Sequence, residues 1–229
     1  MGNLSPCMHL SDDPIATALR DELDRAGILS VALVGPPGAG KTTLIEATAS
    51  RLKQRARLAI VAANPAAQRD ADRLASCCGK SSAVQTATPS ALGIRDSMQQ
   101  FEPYQIDLLL IESMGGIGGA PDLGQHLTVA VFSTSGGDDK AAEYSELLSR
   151  SDAVLVTKSD LEPYVKFDRK AFCGDVDRIN PKAEYMYTSV FNDSTLDQWA
   201  NWIFQKLADK NTRFAAERAA KPSPEWFFG

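Results

Sequence analysis

Histidine and cysteine are scarce in this 229-residue chain: there are two histidines, and four cysteines at 7, 77, 78 and 173 that follow no framework spacing. A disulfide-stapled scaffold is thereby excluded, and in a reducing compartment the cysteines read as free thiols or ligands rather than bridges. Long apolar runs are also missing, since nothing approaches the roughly 18 residues of a membrane span. The opening Met-Gly-Asn-Leu-Ser-Pro-Cys-Met-His lacks the basic-then-apolar order of a signal peptide, so a cytoplasmic protein with no membrane partner is expected. Nor is there an excess of positive charge. With 24 Lys and Arg against 29 Asp and Glu, the net charge of -5 offers no basic stripe to a phosphate backbone, and no nucleic-acid partner is expected. Internal repeats and low-complexity linkers are absent too. What remains, 44% hydrophobic and 23% charged residues, suits one packed α/β domain. Residues 1–10 read as a flexible N-terminus, 11–209 as the domain, and 210–229 as a peripheral tail whose Trp226-Phe-Phe docks on the domain's own surface.

Along the chain, Ser11-Asp-Asp-Pro14 reads as a helix cap with proline in the first turn, and the helix carries Ile15, Leu19, Leu23 and Ala26 on one face before stopping at Gly27. The apolar run 28–34 predicts a strand, and 41–54 a helix. Further strands are expected at 58–62, 83–86, 106–111, 128–133, 153–157 and 184–188, with helices at 139–150 and 195–207. Strands that alternate with helices and are apolar on both faces imply an α/β fold of three layers, a mainly parallel sheet covered on both sides.

The most specific feature is Gly35-Pro-Pro-Gly38-Ala39-Gly40-Lys41-Thr42-Thr43, a Gly-x-x-x-x-Gly-Lys-Thr phosphate loop (P-loop) in its proper strand-to-helix setting. A loop whose backbone N–H groups converge on phosphate oxygens needs positive φ, which Gly35, Gly38 and Gly40 are expected to supply. Lys41 should reach the β and γ phosphates and the Thr42 hydroxyl should ligate Mg²⁺, on the positive end of a helix dipole. Downstream, Asp107-Leu-Leu-Leu-Ile-Glu112 ends a buried strand in a carboxylate at the sheet's carboxyl edge, which makes Glu112 the second candidate around Mg²⁺. An N–H near Gly115, in Ser113-Met-Gly115-Gly116, is placed to sense a γ-phosphate. Thr157-Lys158-Ser159-Asp160 follows a strand and matches the Asn/Thr-Lys-x-Asp pattern of guanine readers. There the carboxylate accepts from N1–H and the 2-amino group while the lysine stem covers the ring. The nucleotide is therefore read as GTP, with Ser189 and Val190 offering backbone N–H groups to the base oxygen.

With these residues in hand, residues 12–207 resemble the GTPases of nickel insertion, the HypB hydrogenase-maturation family and its urease-accessory relative. The resemblance rests further on Ser135-Gly-Gly-Asp138-Asp139-Lys140, Asn180-Pro181, Trp199-Ala-Asn-Trp202, and a switch II segment over Asp107–Gly116 and Asp122-Leu-Gly124. It implies GTP hydrolysis, a nucleotide-dependent homodimer meeting through the Gly136–Lys140 segment at a sheet edge, and a client metalloenzyme or its accessory proteins as partners. It also marks departures. The family's Cys-His or Cys-Pro-His nickel ligands fall at Ala87-Thr-Pro-Ser90-Ala91-Leu92, a further family cysteine falls at Gly118-Gly119-Ala120, and the switch I Asp-x-x-Thr reads Asn64-Pro-Ala-Ala67. The expectation is a divergent member without the family's dimer-interface metal site and with slow hydrolysis. Cys7 with His9, Cys77 with Cys78, and His126 are read as ordinary residues, His126 within a helix.

Two other functions share such a scaffold. A small-molecule kinase needs an arginine-rich lid, and Arg51, Arg55, Arg57, Arg69 and Arg73 are scattered. A nucleotide-gated binding module with little hydrolysis is favoured by the altered switch I.

Overall fold

The apolar runs become strands and the amphipathic segments helices, alternating over much of the chain. A computed structural model describes residues 13–63, 82–85, 90–101 and 106–220, and gives α1 (Pro14–Arg25), β1 (Leu29–Gly35), α2 (Lys41–Leu52), β2 (Leu58–Ala63), β3 (Ser82–Gln85), α3 (Ala91–Met98), β4 (Leu108–Met114) and β5 (Leu127–Ser133). There follow α4 (Lys140–Glu143), α5 (Ser145–Ser149), β6 (Ala153–Thr157), α6 (Arg169–Ile179), β7 (Glu184–Tyr187) and α7 (Asp193–Ala220), with 3₁₀ turns at Thr134–Gly136 and Ser159–Tyr164. The seven strands form one sheet in the order β3-β2-β4-β1-β5-β6-β7, and all six pairings are parallel.

A parallel sheet needs crossovers, and crossovers put helices on its faces, so the central strand is buried on both sides. β1 is buried at all seven positions. Ala32 and Val34 point into a core shared with α1, α3, α5 and α6, whereas Val31 and Leu33 point into one shared with α2 and α7. Because β1 lies between β4 and β5, the chain leaves it to one side for β2 and returns later to the other. That reversal opens a crevice at the carboxyl ends of the central strands.

Several expectations are corrected by packing. β4 does not stop at the expected 111 but runs to Met114, since its register continues to Gly35↔Met114 on β1 and Ala63↔Ser113 on β2. The helix expected at 139–150 is two short helices that part at Tyr144, whose ring sits edge-on to Phe132 at 6.0 Å. α3 and α6 had no sequence assignment. α7 extends well beyond the expected 195–207, so the boundary set at 209 lies inside a helix. β5, which leads into Gly136–Lys140, is an interior strand, so that segment stands at the carboxyl end of the sheet and not at its lateral edge. His126 is not helical; it leads into β5. Among the described residues no helix is long and apolar enough to cross a membrane.

Candidate nucleotide site

The phosphate loop joins β1 to α2 in the crevice. Gly38 and Gly40 take the left-handed conformation at φ +74° and +85°, where any other residue would be strained. Gly35 does not, contrary to the expectation from the motif. Its constraint is proximity: a Cβ there would stand 2.0 Å from the Val131 carbonyl oxygen on β5. No side chain caps α2, which suits a helix whose first amides face an anion. Ala39 is buried in the loop and Thr43 is exposed on the first turn.

Lys41 is buried, and its Nζ donates to the carbonyls of Gly35 at 2.8 Å and Pro36 at 2.9 Å. Burial pushes its ammonium below the ordinary value, against the pull of Glu112. Both hydrogen-bond partners are neutral, and phosphate oxygens are stronger acceptors than carbonyls. The Thr42 hydroxyl donates to Glu112 Oε1 at 2.6 Å, across the gap between α2 and β4. A hydroxyl beside a buried carboxylate is a pair of hard oxygen donors, the chemistry that Mg²⁺ selects. The Gly115 amide donates to the Gly35 carbonyl at 3.2 Å, so it is held on the phosphate loop itself. A Cβ at Gly115 would lie 2.8 Å from Val34 Cγ1, while Gly116 and Gly119 bridge to close a short loop with Ile117 exposed at its tip.

The Thr157–Asp160 segment is bonded to the same loop. The Thr157 hydroxyl lies 2.6 Å from the Ala39 carbonyl and 3.1 Å from that of Phe132. Lys158 Nζ donates to the Gly38 carbonyl at 2.8 Å, and Lys158 is the only non-glycine residue with positive φ among the described residues, at 56°. Asp160 is exposed and accepts from the Ser189 hydroxyl. The Ser189 amide, expected to face the base, donates to Thr195 Oγ1 at 3.2 Å, and Val190 is exposed beside it. Sequence reasoning placed Ser189 at the site but missed its side-chain role. It also missed Thr134, whose hydroxyl donates to the Lys158 carbonyl at 2.6 Å, because no sequence pattern pairs positions 24 apart that each lie one residue past the end of neighbouring strands.

The described residues show no group of three His, Cys, Asp or Glu side chains able to hold a metal ion. At two of the positions where the resemblance would place metal ligands, Ser90 caps α3 by accepting the Gly93 amide at 3.2 Å, and Gly119 lies against Glu146. Asn64–Ala67, Ala87–Pro89, Cys7, His9, Cys77, Cys78, Arg69, Arg73 and Trp226 fall outside the described residues.

The family model for the CobW/HypB/UreG nucleotide-binding domain matches residues 29–187, from β1 through β7. The chain belongs to this family. A hydrogenase maturation factor HypB of Escherichia coli is 31% identical over 176 residues, which are 75% of this chain and 61% of that protein, so the chain spans less than two thirds of that relative. A probable hydrogenase maturation factor HypB of Methanocaldococcus jannaschii is 30% identical over 200 residues, 85% of this chain and 90% of its own length. Among solved structures, HypB of Archaeoglobus fulgidus superposes with a TM-score of 0.76 at 25% identity, covering 84% of this chain and 97% of that one. HypB of Helicobacter pylori, solved in complex with nickel, shares the fold with a TM-score of 0.77 at 24% identity over 85% and 94% of the two chains. The chain therefore has the HypB-like fold of this nucleotide-binding family.

Proposed function

We propose that this protein is a cytoplasmic GTP-hydrolysing switch that assists metal or cofactor loading of a client enzyme. The observation that carries the reading is the bonding of the guanine-type segment onto the phosphate loop, through Thr157 to Ala39 and Lys158 to Gly38. A single nucleotide then spans both subsites, with its triphosphate on residues 35–43 and its base at Asp160. A carboxylate has about four lone-pair sites, so the Ser189 bond leaves Asp160 room for the two donors on the guanine edge. Lys41 binds the β and γ phosphates, and the Gly115 amide exchanges the Gly35 carbonyl for the γ-phosphate. Thr42 and Glu112 are the residues that would hold Mg²⁺, which would supply charge neutralisation on the phosphates when bound. Residues 64 and 67 contribute no carboxylate or hydroxyl, which is the basis for slow turnover.

The client class comes from the relatives, whose names are those of hydrogenase maturation factors. A nucleotide-dependent homodimer through Gly136–Lys140 belongs to the same reading, with residues 210–229 peripheral to it, and the partners are proteins rather than nucleic acid or membrane. The kinase reading loses support because Arg51 binds Asp193 and Asp197, Arg55 binds Asn201 and Arg57 binds Asp107, so these arginines tie elements together instead of forming a lid. A nucleotide-gated binding module remains the second reading, favoured by Ala67.

Competition between GTP and ATP, with Asp160→Asn as the variant, tests the base assignment. The Ser189 hydroxyl should hold the carbonyl of the introduced side chain, turning its NH₂ group to the base, so affinity should move from GTP toward xanthosine triphosphate. Wild-type preference for ATP would reject the reading. Phosphate release with and without an apo-metalloenzyme client then separates the switch from the module.

A further inference from the structure

We infer that Thr134 is a positioning residue for base recognition, acting by locking the Lys158 backbone in its left-handed conformation. The inference rests on the proposed guanine site and adds a residue outside both sequence motifs. Lys158 stands at φ 56° and ψ 35°, a conformation that strains a residue with a Cβ and persists only where neighbours impose it. The neighbours can be named. The Thr134 hydroxyl, fully buried at the end of β5, donates to the Lys158 carbonyl at 2.6 Å. At the other end of the same peptide unit, the Ser159 amide donates to the Thr188 carbonyl at 3.1 Å. Thr157, one residue earlier, is fixed by its strand pairing with Ser133 and by its bond to Ala39.

Each bond has a consequence for the ligand. The left-handed turn at Lys158 sends its side chain back over the phosphate loop, where Nζ reaches the Gly38 carbonyl at 2.8 Å and stands 3.4 Å from Ser135 Oγ. The same turn delivers Asp160 to Ser189. If the Lys158 peptide relaxed to an ordinary helical or extended conformation, the lysine stem and the Asp160 carboxylate would leave the base position together, while the phosphate loop would lose only the Lys158 bond to the Gly38 carbonyl and keep its phosphate-facing groups. Thr134 also begins the 3₁₀ turn Thr134–Gly136, so the base segment and the Gly136–Lys140 loop share one hydrogen-bonded residue.

The test is nucleotide affinity of Thr134→Val, which keeps the shape and removes the donor, and of Thr134→Ser, which keeps the donor. For Thr134→Val we expect GTP and GDP affinities each to fall about fivefold, the range of one lost neutral hydrogen bond, while the affinity for inorganic tripolyphosphate stays at the wild-type value. Thr134→Ser should restore guanine-nucleotide affinity. In a Lys158→Gly background, where positive φ costs nothing, Thr134→Val should have no further effect. Should the valine variant fail to fold by circular dichroism, Thr134→Ala carries the same comparison. Equal losses for GTP and tripolyphosphate, or a full effect of Thr134→Val in the Lys158→Gly background, would overturn the inference by reducing Thr134 to general support. A wild type that prefers ATP would instead reject the guanine reading itself.

Discussion

The Thr157 hydroxyl sits 2.6 Å from the Ala39 carbonyl, so the first residue of the base segment is hydrogen-bonded to the centre of the phosphate loop. This explains how threonine serves where the motif also allows asparagine: what the position requires is a buried donor aimed at the loop. It explains Gly40 as well, since a Cβ there would lie 3.3 Å from the same oxygen. Thr157→Val should lower unfolding stability by about 1–3 kcal/mol, because the carbonyls facing it stay buried without their donor. GTP affinity should fall in parallel. Urea denaturation checks the first, and an unchanged midpoint would mean that the bond adds nothing.

Lys41→Ala should abolish tight triphosphate binding. Lys41 is 6% exposed and holds two carbonyls of its own loop. Bonds from an ammonium to phosphate are worth about 1.5–3 kcal/mol each, so a loss of roughly a hundredfold in GTP affinity is expected. Calorimetric titration of the folded variant decides it, and wild-type affinity would remove the lysine from the site.

Gly35→Ala should disrupt folding more than Gly38→Ala. The first puts a methyl 2.0 Å from the backbone oxygen of Val131 on the adjacent strand, whereas a Cβ at Gly38 meets nothing within 4 Å and suffers only its φ of +74°. A left-handed alanine costs about 1–2 kcal/mol, while a clash between two strands of a packed sheet costs more because neither can move alone. Thermal melting of the two variants should rank them in that order.

These glycines show what the sequence discloses and what it leaves out. The phosphate loop was legible because its residue types are demanded by local geometry, and the central strands because both faces of each are apolar. What was illegible is set by contacts between distant segments. Glu112 was visible as a carboxylate, but its bond to Thr42 depends on the β1–β4 register. α6 has a side-chain cap in Asp168 but buries only Phe172 and Val176, too sparse a face to mark a helix by its period. Tyr144 breaks a helix for a contact with Phe132 that no local pattern encodes. His126, read as an ordinary helix residue, belongs to a polar cluster assembled from four separate elements.

That cluster predicts acid sensitivity. The Ser30 amide donates to His126 Nδ1 at 3.0 Å, so Nδ1 is an acceptor, and the ring's proton belongs on Nε2, which faces Asp24 Oδ1 at 3.0 Å. Lys210 from α7 binds Asp24 and stands 2.8 Å from Nε2, and Arg20 adds positive charge from α1. A second ring proton would have to break the Ser30 bond beside two cations. Burial first, then Lys210 and Arg20, hold the His126 pKa below its ordinary 6.5, although Asp24 pulls the other way. Between that lowered value and 6.5 the unfolded chain binds more protons than the folded one, so stability rises with pH through this window and is lost as pH falls below 6.5. The bond to His126, with Lys210, holds the Asp24 carboxyl well below the usual carboxylate range, so its own contribution fades only in stronger acid, below the ordinary 3.8. Melting temperature should therefore hold level from about pH 8 to 6.5 and then decline, and His126→Gln should flatten the decline above about pH 4. Amide exchange in α7 around Lys210 should quicken over the same range, because protonation weakens the bonds that fasten this end of the helix to α1. An identical pH slope in wild type and His126→Gln would assign the acid sensitivity to other groups.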